Sequence, residues 1–247
     1  MADARHRPGN YGIDAPNVVR NLLLLGIGCL VLGVVSFYVF PEKWLWLGVA
    51  IGMVLFIAFL ILLIESLYMI WSSKVGKYRM REKLLDFIQL RGDELLLDAG
   101  CGRGLVLIAA ARRLTTGKAY GIDIWSKRDQ SGNEPEVTRE NARVEGVAER
   151  VEVLNGDMRA IPFPDGYFDA VVSSLAVHNI SNLEERRRVL GEMMRVLKPG
   201  GRLAILDFQH VRQYADALRE LEALDVHIYG PYWSMFPPVR IVAGRKK

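Results

Sequence analysis

The sequence predicts an α/β fold in which an all-α hairpin precedes a mostly parallel sheet. The chain has 247 residues, of which 51% are hydrophobic, and the excess of apolar residues lies almost entirely before residue 72. Beyond that point, short apolar runs alternate with amphipathic segments, which is typical of βα units. We therefore divide the chain into a flexible tail at 1–17, a two-span hairpin at 18–72 and an α/β domain at 73–247.

The composition narrows the classes of partner. The net charge is +4, and the basic residues do not interleave with aromatic residues in one stripe, so nucleic acid is not expected as a partner. The two cysteines, Cys29 and Cys101, stand in an apolar run and in a glycine loop. They provide neither a disulfide framework nor a thiolate metal site. We expect no bound metal.

Two apolar runs follow the polar tail. They extend over 18–40 and 44–64 and are separated by the turn at 41–43. Each is roughly 20 residues long, which is enough for a helix to cross a hydrocarbon core of about 30 Å. Both exceed the apolar region of a signal peptide, so removal is not expected. A buried soluble hairpin is the alternative, but no other segment is apolar enough to surround it.

The charges that flank the hairpin predict its orientation. A hairpin leaves both outer ends on one side, and basic residues concentrate at those ends, whereas Lys43 in the turn is balanced by Glu42. The positive-inside rule then places both termini and the α/β domain in the cytoplasm. The flanking basic residues are Arg5, Arg7, Arg20, Lys74, Lys77, Arg79 and Arg81. The aromatic residues expected at the membrane interfaces are Trp44, Trp46, Tyr68 and Trp71.

Three residues of the second run carry further expectations. Gly48 and Gly52 have the small-xxx-small spacing that allows membrane helices to approach closely. Packing against the first run of the same chain and formation of a homodimer both remain open. Glu65 is expected at the level of the lipid headgroups rather than as a functional intramembrane carboxylate.

A glycine-rich turn marks the start of the predicted ligand site. An apolar strand ends at Asp98, and Gly100, Gly102 and Gly104 lead into a helix at 103–114. Glycine permits positive φ and lets a ligand approach the backbone closely. The helix N-terminus offers N–H groups to an anion, and Asp98 can receive a cation.

The next two strands also end in acids. The strand at 118–124 carries Asp123, and the strand at 150–154 is followed by Asp157. Because the carboxyl ends of parallel strands meet at one edge, these acids should gather there. Asp123 can accept both hydroxyls of a ribose, whereas Trp125 either covers a base or packs locally. The other predicted elements are helices at 74–90, 137–147, 184–197 and 211–224, a polar loop at 125–136, and strands at 170–174, 202–207, 226–229 and 239–243.

Three motifs together resemble one enzyme family. The loop from Asp98 to Gly104 has D-x-G-x-G-x-G spacing, residues 162–169 read PFPDGYFD, and LKPGG at 197–201 precedes an apolar strand. The pattern resembles the class I S-adenosylmethionine-dependent methyltransferases over about residues 77–247, especially the ubiquinone/menaquinone-type small-molecule and lipid branch. The resemblance implies a Rossmann-like seven-stranded sheet with an antiparallel last strand and S-adenosylmethionine as cofactor.

The resemblance also implies roles for individual residues. Asp157 matches the acid that accepts the adenine amino group, and Met158 supplies a neighbouring backbone N–H. The implied cofactor-binding residues are Asp98, Gly100, Cys101, Gly102, Gly104, Asp123, Ile124, Trp125, Asp157, Met158 and Ser173.

The substrate-facing loop of that family falls at 173–180. His178 is the candidate catalytic residue, either as a base or to orient the acceptor, although a histidine there can equally be a structural donor. Further candidate contacts to the acceptor are Asn179, His210, Tyr214, Tyr232 and Trp233.

Together these expectations describe a membrane-anchored methyltransferase that acts on a small-molecule or lipid acceptor by in-line transfer. One alternative is a nicotinamide-dependent oxidoreductase, which shares the acid at Asp123 but uses G-x-G-x-x-G spacing. A second is a non-catalytic membrane protein that binds S-adenosylmethionine. Arsenite methylation needs several thiols, and two cysteines disfavour it.

Overall fold

The computed structural model describes residues 9–126 and 133–247. The chain forms two compact units. One unit is the segment Ile13–Val75, and the other is Gly76–Lys247 together with the described residues before Ile13. Part of the polar loop predicted at 125–136 and the first eight residues of the predicted tail lie outside the described residues.

The segment Ile13–Val75 is a helical hairpin. Helix α1 spans Pro16–Val39, a 3₁₀ turn spans Glu42–Trp44, and helix α2 spans Leu45–Trp71. Both helices are long and apolar enough to cross a membrane, with mean hydropathies of 2.6 and 3.1 in their most apolar windows, of which 17% and 11% are buried. A π-helical turn, Ser72–Gly76, continues directly from α2.

Small residues bring α1 and α2 together. A Cβ atom added to Gly48 would lie 2.5 Å from the carbonyl oxygen of Ser36, and one added to Gly52 would lie 3.1 Å from that of Gly33. The Ser36 hydroxyl donates to the Gly48 carbonyl at 2.9 Å. The described contacts of Gly48 and Gly52 are therefore with the first helix of the same chain, which accounts for their spacing without a homodimer.

The second unit is built on a seven-stranded sheet with the order β3-β2-β1-β4-β5-β7-β6. The first five strands are parallel, and β7 runs antiparallel to both of its neighbours. This arrangement confirms the predicted α/β sheet with its antiparallel ending. The strands are β1 (Leu95–Ala99), β2 (Lys118–Asp123), β3 (Val151–Asn155), β4 (Phe168–Ser174), β5 (Leu197–Asp207), β6 (Leu224–Tyr232) and β7 (Val239–Arg245).

Five helices cover the two faces of the sheet. They are α3 (Lys77–Ile88), α4 (Leu105–Arg113), α5 (Pro135–Val144), α6 (Leu183–Val196) and α7 (Val211–Glu220). Side chains of a strand alternate between faces, so Leu96 packs with α3 and α4 whereas Leu97 packs with α6 and α7. The buried strands thereby fix where each of their carboxyl ends emerges.

The N-terminal segment at 9–12 differs from the predicted flexible tail. Tyr11 is only 2% exposed. Its hydroxyl donates to Glu145 Oε1 at 2.7 Å, and the Gly9 N–H donates to the same oxygen at 3.0 Å. The prediction of a tail at 1–17 is therefore wrong for these residues, which are an ordered part of the α/β unit. Helix α1 also begins within that range, at Pro16.

Two further side chains hold this segment. Asn141 accepts from the Asn10 N–H at 2.8 Å and donates to the Asn10 carbonyl at 3.1 Å and to the Arg103 carbonyl at 2.9 Å. The buried Lys77 ammonium donates to the carbonyls of Tyr11 and Gly12, at 3.0 and 2.7 Å. The segment is thus hydrogen-bonded directly to the start of α3 and, through Asn141, to the glycine-rich turn.

The glycine contacts of the hairpin predict the effect of larger side chains. We expect Gly48→Leu to lower the stability of the hairpin by about 1–3 kcal/mol, since the new side chain meets the Ser36 carbonyl. Unfolding of the purified protein in a detergent titration, followed by helical circular dichroism, measures this. Gly28→Leu is the matched control because nothing described lies within 4 Å of a Cβ atom there. Equal effects of the two substitutions would contradict the packing.

Candidate active site

The candidate site lies at the carboxyl edge of the parallel strands. Asp98 lies near the end of β1, Asp123 ends β2 and Asp207 ends β5. The strand order places β1 between β2 and β4, with β5 next to β4. The edge therefore gathers three carboxylates on one side of the sheet, as open α/β folds do at their ligand sites.

Asp98 is buried without a full set of partners. Its side chain is 1% exposed, and its Oδ1 atom has no hydrogen-bond partner among the described residues. Burial, with a smaller contribution from the charge of Asp123, raises the pKa of Asp98 to about 7. A buried carboxylate in this state is stabilised by a cation, so the site fits a ligand that brings a positive charge to this point.

The glycine-rich turn is held in shape without a ligand. The N–H groups of Gly100 and Cys101 both donate to the Ile122 carbonyl, at 2.8 and 3.1 Å. Gly100 has φ +78° and a Cβ atom added there would overlap that of Ala176, so glycine is required. The Cys101 thiol is buried in the hydrophobic core. This burial raises its pKa.

The rest of the turn is fastened from two sides. Gly102 and Gly104 also have positive φ, +48° and +84°. The Gly102 N–H donates to Asp123 Oδ2 at 2.9 Å, and its carbonyl accepts from Thr138 Oγ1 at 2.6 Å. The structure thus brings Asp123 to the turn, as the sequence predicted.

The second carboxylate oxygen of Asp123 has partners of its own. Oδ1 accepts from the Trp125 N–H at 2.6 Å and from Asn133 Nδ2 at 3.2 Å. The Trp125 indole donates to Asn155 Oδ1 at 2.6 Å, which is the local packing alternative for this residue. Ile124 between them is 63% exposed. The sequence analysis did not identify Asn133 as a partner of Asp123, because an amide ten residues after an acid forms no recognisable motif.

Asp157 and Met158 lie on the same edge but in different surroundings. Asp157 forms a bidentate pair with Arg159, at 2.7 to 3.0 Å, and this guanidinium lowers the pKa of Asp157. The Met158 methyl group lies 2.8 Å from the Cβ position of Gly100. Met158 therefore adjoins the turn, whereas the predicted contact of Asp157 with an adenine stays a prediction.

Two predicted site residues are fully buried. Ser173 is 0% exposed and its hydroxyl donates to the Ala99 carbonyl at 2.7 Å. Tyr214 is also 0% exposed, and its hydroxyl donates to Asp207 Oδ2 at 3.2 Å. Both differ from the predicted ligand-facing positions, because tertiary contacts turn their hydroxyl groups into the protein. They support the site from behind.

A histidine and an acid form a pair beside the glycine-rich turn. Nδ1 of His178 lies 2.8 Å from Oδ1 of Asp207, which is 0% exposed. Asp207 also accepts from the backbone N–H groups of His178 and Phe208, at 3.2 and 2.8 Å. Although the two atoms lie this close, Nδ1 of His178 has no aligned hydrogen-bond partner among the described residues. An imidazole that carries its hydrogen on Nδ1 has a lone pair on Nε2.

Asp207 was missed as a functional residue. Its signal was present, because it ends the fifth predicted strand in the same way that Asp98 and Asp123 end theirs. Burial raises the pKa of Tyr214, so this phenol remains a donor to Asp207. The Asp207 carboxylate therefore has a fixed orientation.

The remaining candidates lie around this pair or farther along the edge. Asn179 is exposed at the end of a 3₁₀ turn, Val177–Asn179. His210 precedes α7, and burial lowers its pKa. Tyr232 ends β6 with the Lys83 ammonium 4.4 Å from the centre of its ring, and Trp233 is 66% exposed.

Comparison with known proteins places this geometry in a family context. Residues 97–205 match the family described as methyltransferase domain. The ubiquinone/menaquinone biosynthesis C-methyltransferase of Ruegeria sp. (strain TM1040) is 31% identical over 148 residues, which cover 60% of this chain and 55% of that protein. The chain spans about half the length of the curated relatives it matches.

Solved structures share the fold of the α/β unit. The geranyl diphosphate C-methyltransferase from Streptomyces coelicolor A3(2) matches with a TM-score of 0.58 at 19% identity, over 69% of this chain and 79% of that one. The [4+2]-cyclase SpnF matches with a TM-score of 0.54 at 22% identity, over 68% and 81%. Likeness at these identities establishes the architecture.

The buried carboxyl group of Asp98 predicts a pH dependence. If it receives the amino group of the predicted cofactor, it must be ionised, so below pH 7 binding requires loss of its proton. We expect the affinity for S-adenosylmethionine to fall about tenfold per pH unit below 7 and to level off above it. Isothermal titration calorimetry between about pH 5 and pH 7 measures this. Asp86→Asn, an exposed acid, should keep the slope, and a flat profile in the native protein would contradict the assignment.

Proposed function

From the premise that the α/β unit is a class I S-adenosylmethionine-dependent methyltransferase domain, we propose that this chain transfers the methyl group of S-adenosylmethionine to an acceptor at a membrane. The observation that carries the proposal is the buried, incompletely partnered carboxylate of Asp98 at the head of a glycine-rich turn. The G-x-G-x-G spacing and the antiparallel β7 favour it over the oxidoreductase alternative.

The residues at the carboxyl edge fit this cofactor. Asp98 would take its amino group, the N-terminus of α4 would take its carboxylate, and Asp123 would take the ribose hydroxyls. Asp123 already accepts three hydrogen bonds, but each carboxylate oxygen retains acceptor capacity. When bound, the cofactor supplies an activated methyl group on a sulfonium. The protein then has to position an acceptor and exclude water.

His178 and Asp207 supply the acid–base chemistry in this proposal. Nε2 of His178 takes a proton from the acceptor, and the buried Asp207 stabilises the imidazolium that results. The backbone N–H groups and Tyr214 fix the carboxylate against which the imidazole lies. This arrangement favours an acceptor that loses a proton, such as an alcohol or the phenolic hydroxyl of a hydroquinone, whose deprotonation makes the adjacent ring carbon nucleophilic. The name of the Ruegeria relative supports a quinone-like acceptor.

The hairpin supports a membrane location. Its helices expose many large apolar side chains, including Leu24, Leu32, Val54 and Ile64 at 59–66%. Soluble monomers rarely expose a continuous apolar surface of this kind. The basic residues at both outer ends support a cytoplasmic position for the termini and the α/β unit. An acceptor dissolved in the bilayer would then be within reach of the site.

Turnover is tested directly with labelled cofactor. The purified full-length protein in vesicles of phosphatidylcholine and phosphatidylglycerol is incubated with methyl-labelled S-adenosylmethionine and a bacterial lipid extract. We expect label in the organic phase, and none with Asp98→Ala, because the amino group of the cofactor loses its carboxylate partner. Label only in water-soluble acceptors would overturn the lipid part of the proposal. Cofactor binding without label in any acceptor would indicate a non-catalytic protein, an outcome that matters because the cyclase shares the fold.

The position of His178 beside Asp207 predicts that substitutions there change kcat but not the affinity for S-adenosylmethionine. We expect His178→Gln to lower kcat for the labelled acceptor by roughly 10²–10⁴ and to leave the Kd of S-adenosylmethionine within about twofold. Asp207→Asn should lower kcat as well, because the imidazole loses its orientation and charge partner. Rapid-quench kinetics and calorimetry measure the two quantities.

The control for that pair is a histidine away from the edge. His227→Gln, in β6, should change neither quantity, since its ring contacts only the Asp225 carbonyl among the hydrogen bonds described. If His178→Gln keeps the full kcat, the histidine is structural.

A further inference from the structure

The turn between β6 and β7 lies at the same edge of the sheet as the active site. Tyr232 pairs with Val239 across this turn, and Arg240 pairs with Asp207 at the end of β5. Because β7 is antiparallel to β5, β7 begins where β5 ends. The turn at 233–238 therefore projects beyond the carboxyl edge, beside the His178 and Asp207 pair.

The chain re-enters the α/β unit against this turn. Gly76 is the first residue of the unit after the segment Ile13–Val75. A Cβ atom added to Gly76 would overlap the Ser234 carbonyl oxygen and would lie 3.6 Å from Met235. Met235 is 4% exposed and belongs to the core, so the turn is anchored rather than free.

Gly12, after which the chain leaves the unit, lies near Gly76. Lys77 follows Gly76 directly, and its ammonium donates to the carbonyls of Tyr11 and Gly12. A Cβ atom on Gly12 would lie 3.0 Å from the Arg103 guanidinium in the glycine-rich turn. Both points at which the chain passes to the hairpin thus lie at the ligand-binding edge.

Chain length limits how far the turn can be from the end of α2. Trp71 ends α2, and five peptide steps separate it from Gly76. Even a fully extended chain of this length spans at most about 18 Å. The described π-helical turn is shorter still, because helical residues rise only about 1.5 Å each. The tether between the Gly76 contact and the end of α2 is therefore short.

Trp233 in the turn, and Tyr232 and Lys83 beside it, are residue types typical of a membrane interface. Trp233 is 66% exposed. The Lys83 ammonium lies over the ring of Tyr232. Tryptophan, tyrosine and lysine are the residues that the headgroup region favours, and the amphipathic indole ring sits at its boundary with the hydrocarbon.

We propose that the turn at 233–238 is a membrane-contacting lip of the active site, with the Trp233 side chain among the lipid headgroups. This inference rests on the proposed membrane span and deepens it, because it turns the acceptor side of the edge toward the bilayer. A lipid acceptor would then enter along β7, past the turn, without crossing bulk water.

The test uses an environment-sensitive fluorophore in the full-length protein. Trp233→Cys is labelled with nitrobenzoxadiazole in a Cys29→Ser background, where the remaining Cys101 is buried. The protein is reconstituted in vesicles of phosphatidylcholine and phosphatidylglycerol that contain a lipid spin-labelled at position 5 of its acyl chain. We expect the spin label to quench the fluorophore at 233 about twofold.

Leu221→Cys provides the matched control. Leu221 is 41% exposed and lies just past the end of α7, so it is at the opposite edge of the sheet. Its fluorophore should not be quenched. If the protein floats with the vesicles but the fluorophores at 233 and 221 are quenched equally, the proposal of the lip is wrong, whereas the proposed membrane span is retained. If the protein does not float with vesicles at all, the proposed anchoring fails and the lip fails with it.

Discussion

The site depends on one carboxylate that the protein buries without satisfying it. Asp98 is held by the strands on either side of β1, and the glycine-rich turn closes over it. Because the pKa of this acid is higher in the folded protein than in the unfolded chain, its contribution to the free energy of unfolding is full at low pH and is lost as pH rises through about 7. Ionisation of Asp98 near neutrality therefore lowers the free energy of unfolding, and the cationic group of the proposed cofactor would offset this loss.

Asp207, a second buried acid in the same sheet, has the hydrogen-bond partners that Asp98 lacks. Asp207 accepts from two backbone N–H groups and from Tyr214, and it lies against the His178 ring. One carboxylate is thus left open for a ligand, while the other is fully occupied with holding a side chain. In the proposed function, this contrast assigns cofactor binding to the Asp98 half of the edge and proton transfer to the Asp207 half.

The sequence predicted the parts of this arrangement that rest on local patterns. The apolar strands, the glycine spacing and the acids that follow each strand are short-range signals, and the seven-stranded sheet with its antiparallel ending came out as expected. The sequence did not predict the docking of residues 9–12, because Gly9 and Glu145 are 136 positions apart and meet only after folding. Ser173 and Tyr214 were misplaced for the same reason, since tertiary packing decides which way a hydroxyl group points.

The lysine that joins the start of α3 to Tyr11 and Gly12 has a practical consequence. Since it holds the two chain crossings side by side, the helical hairpin is an insertion into an otherwise continuous domain. Insertions whose ends lie close together can be exchanged or removed without dismantling their host. A shortened chain that bridges Gly12 to Gly76 with a short polar linker is therefore expected to keep the α/β unit folded.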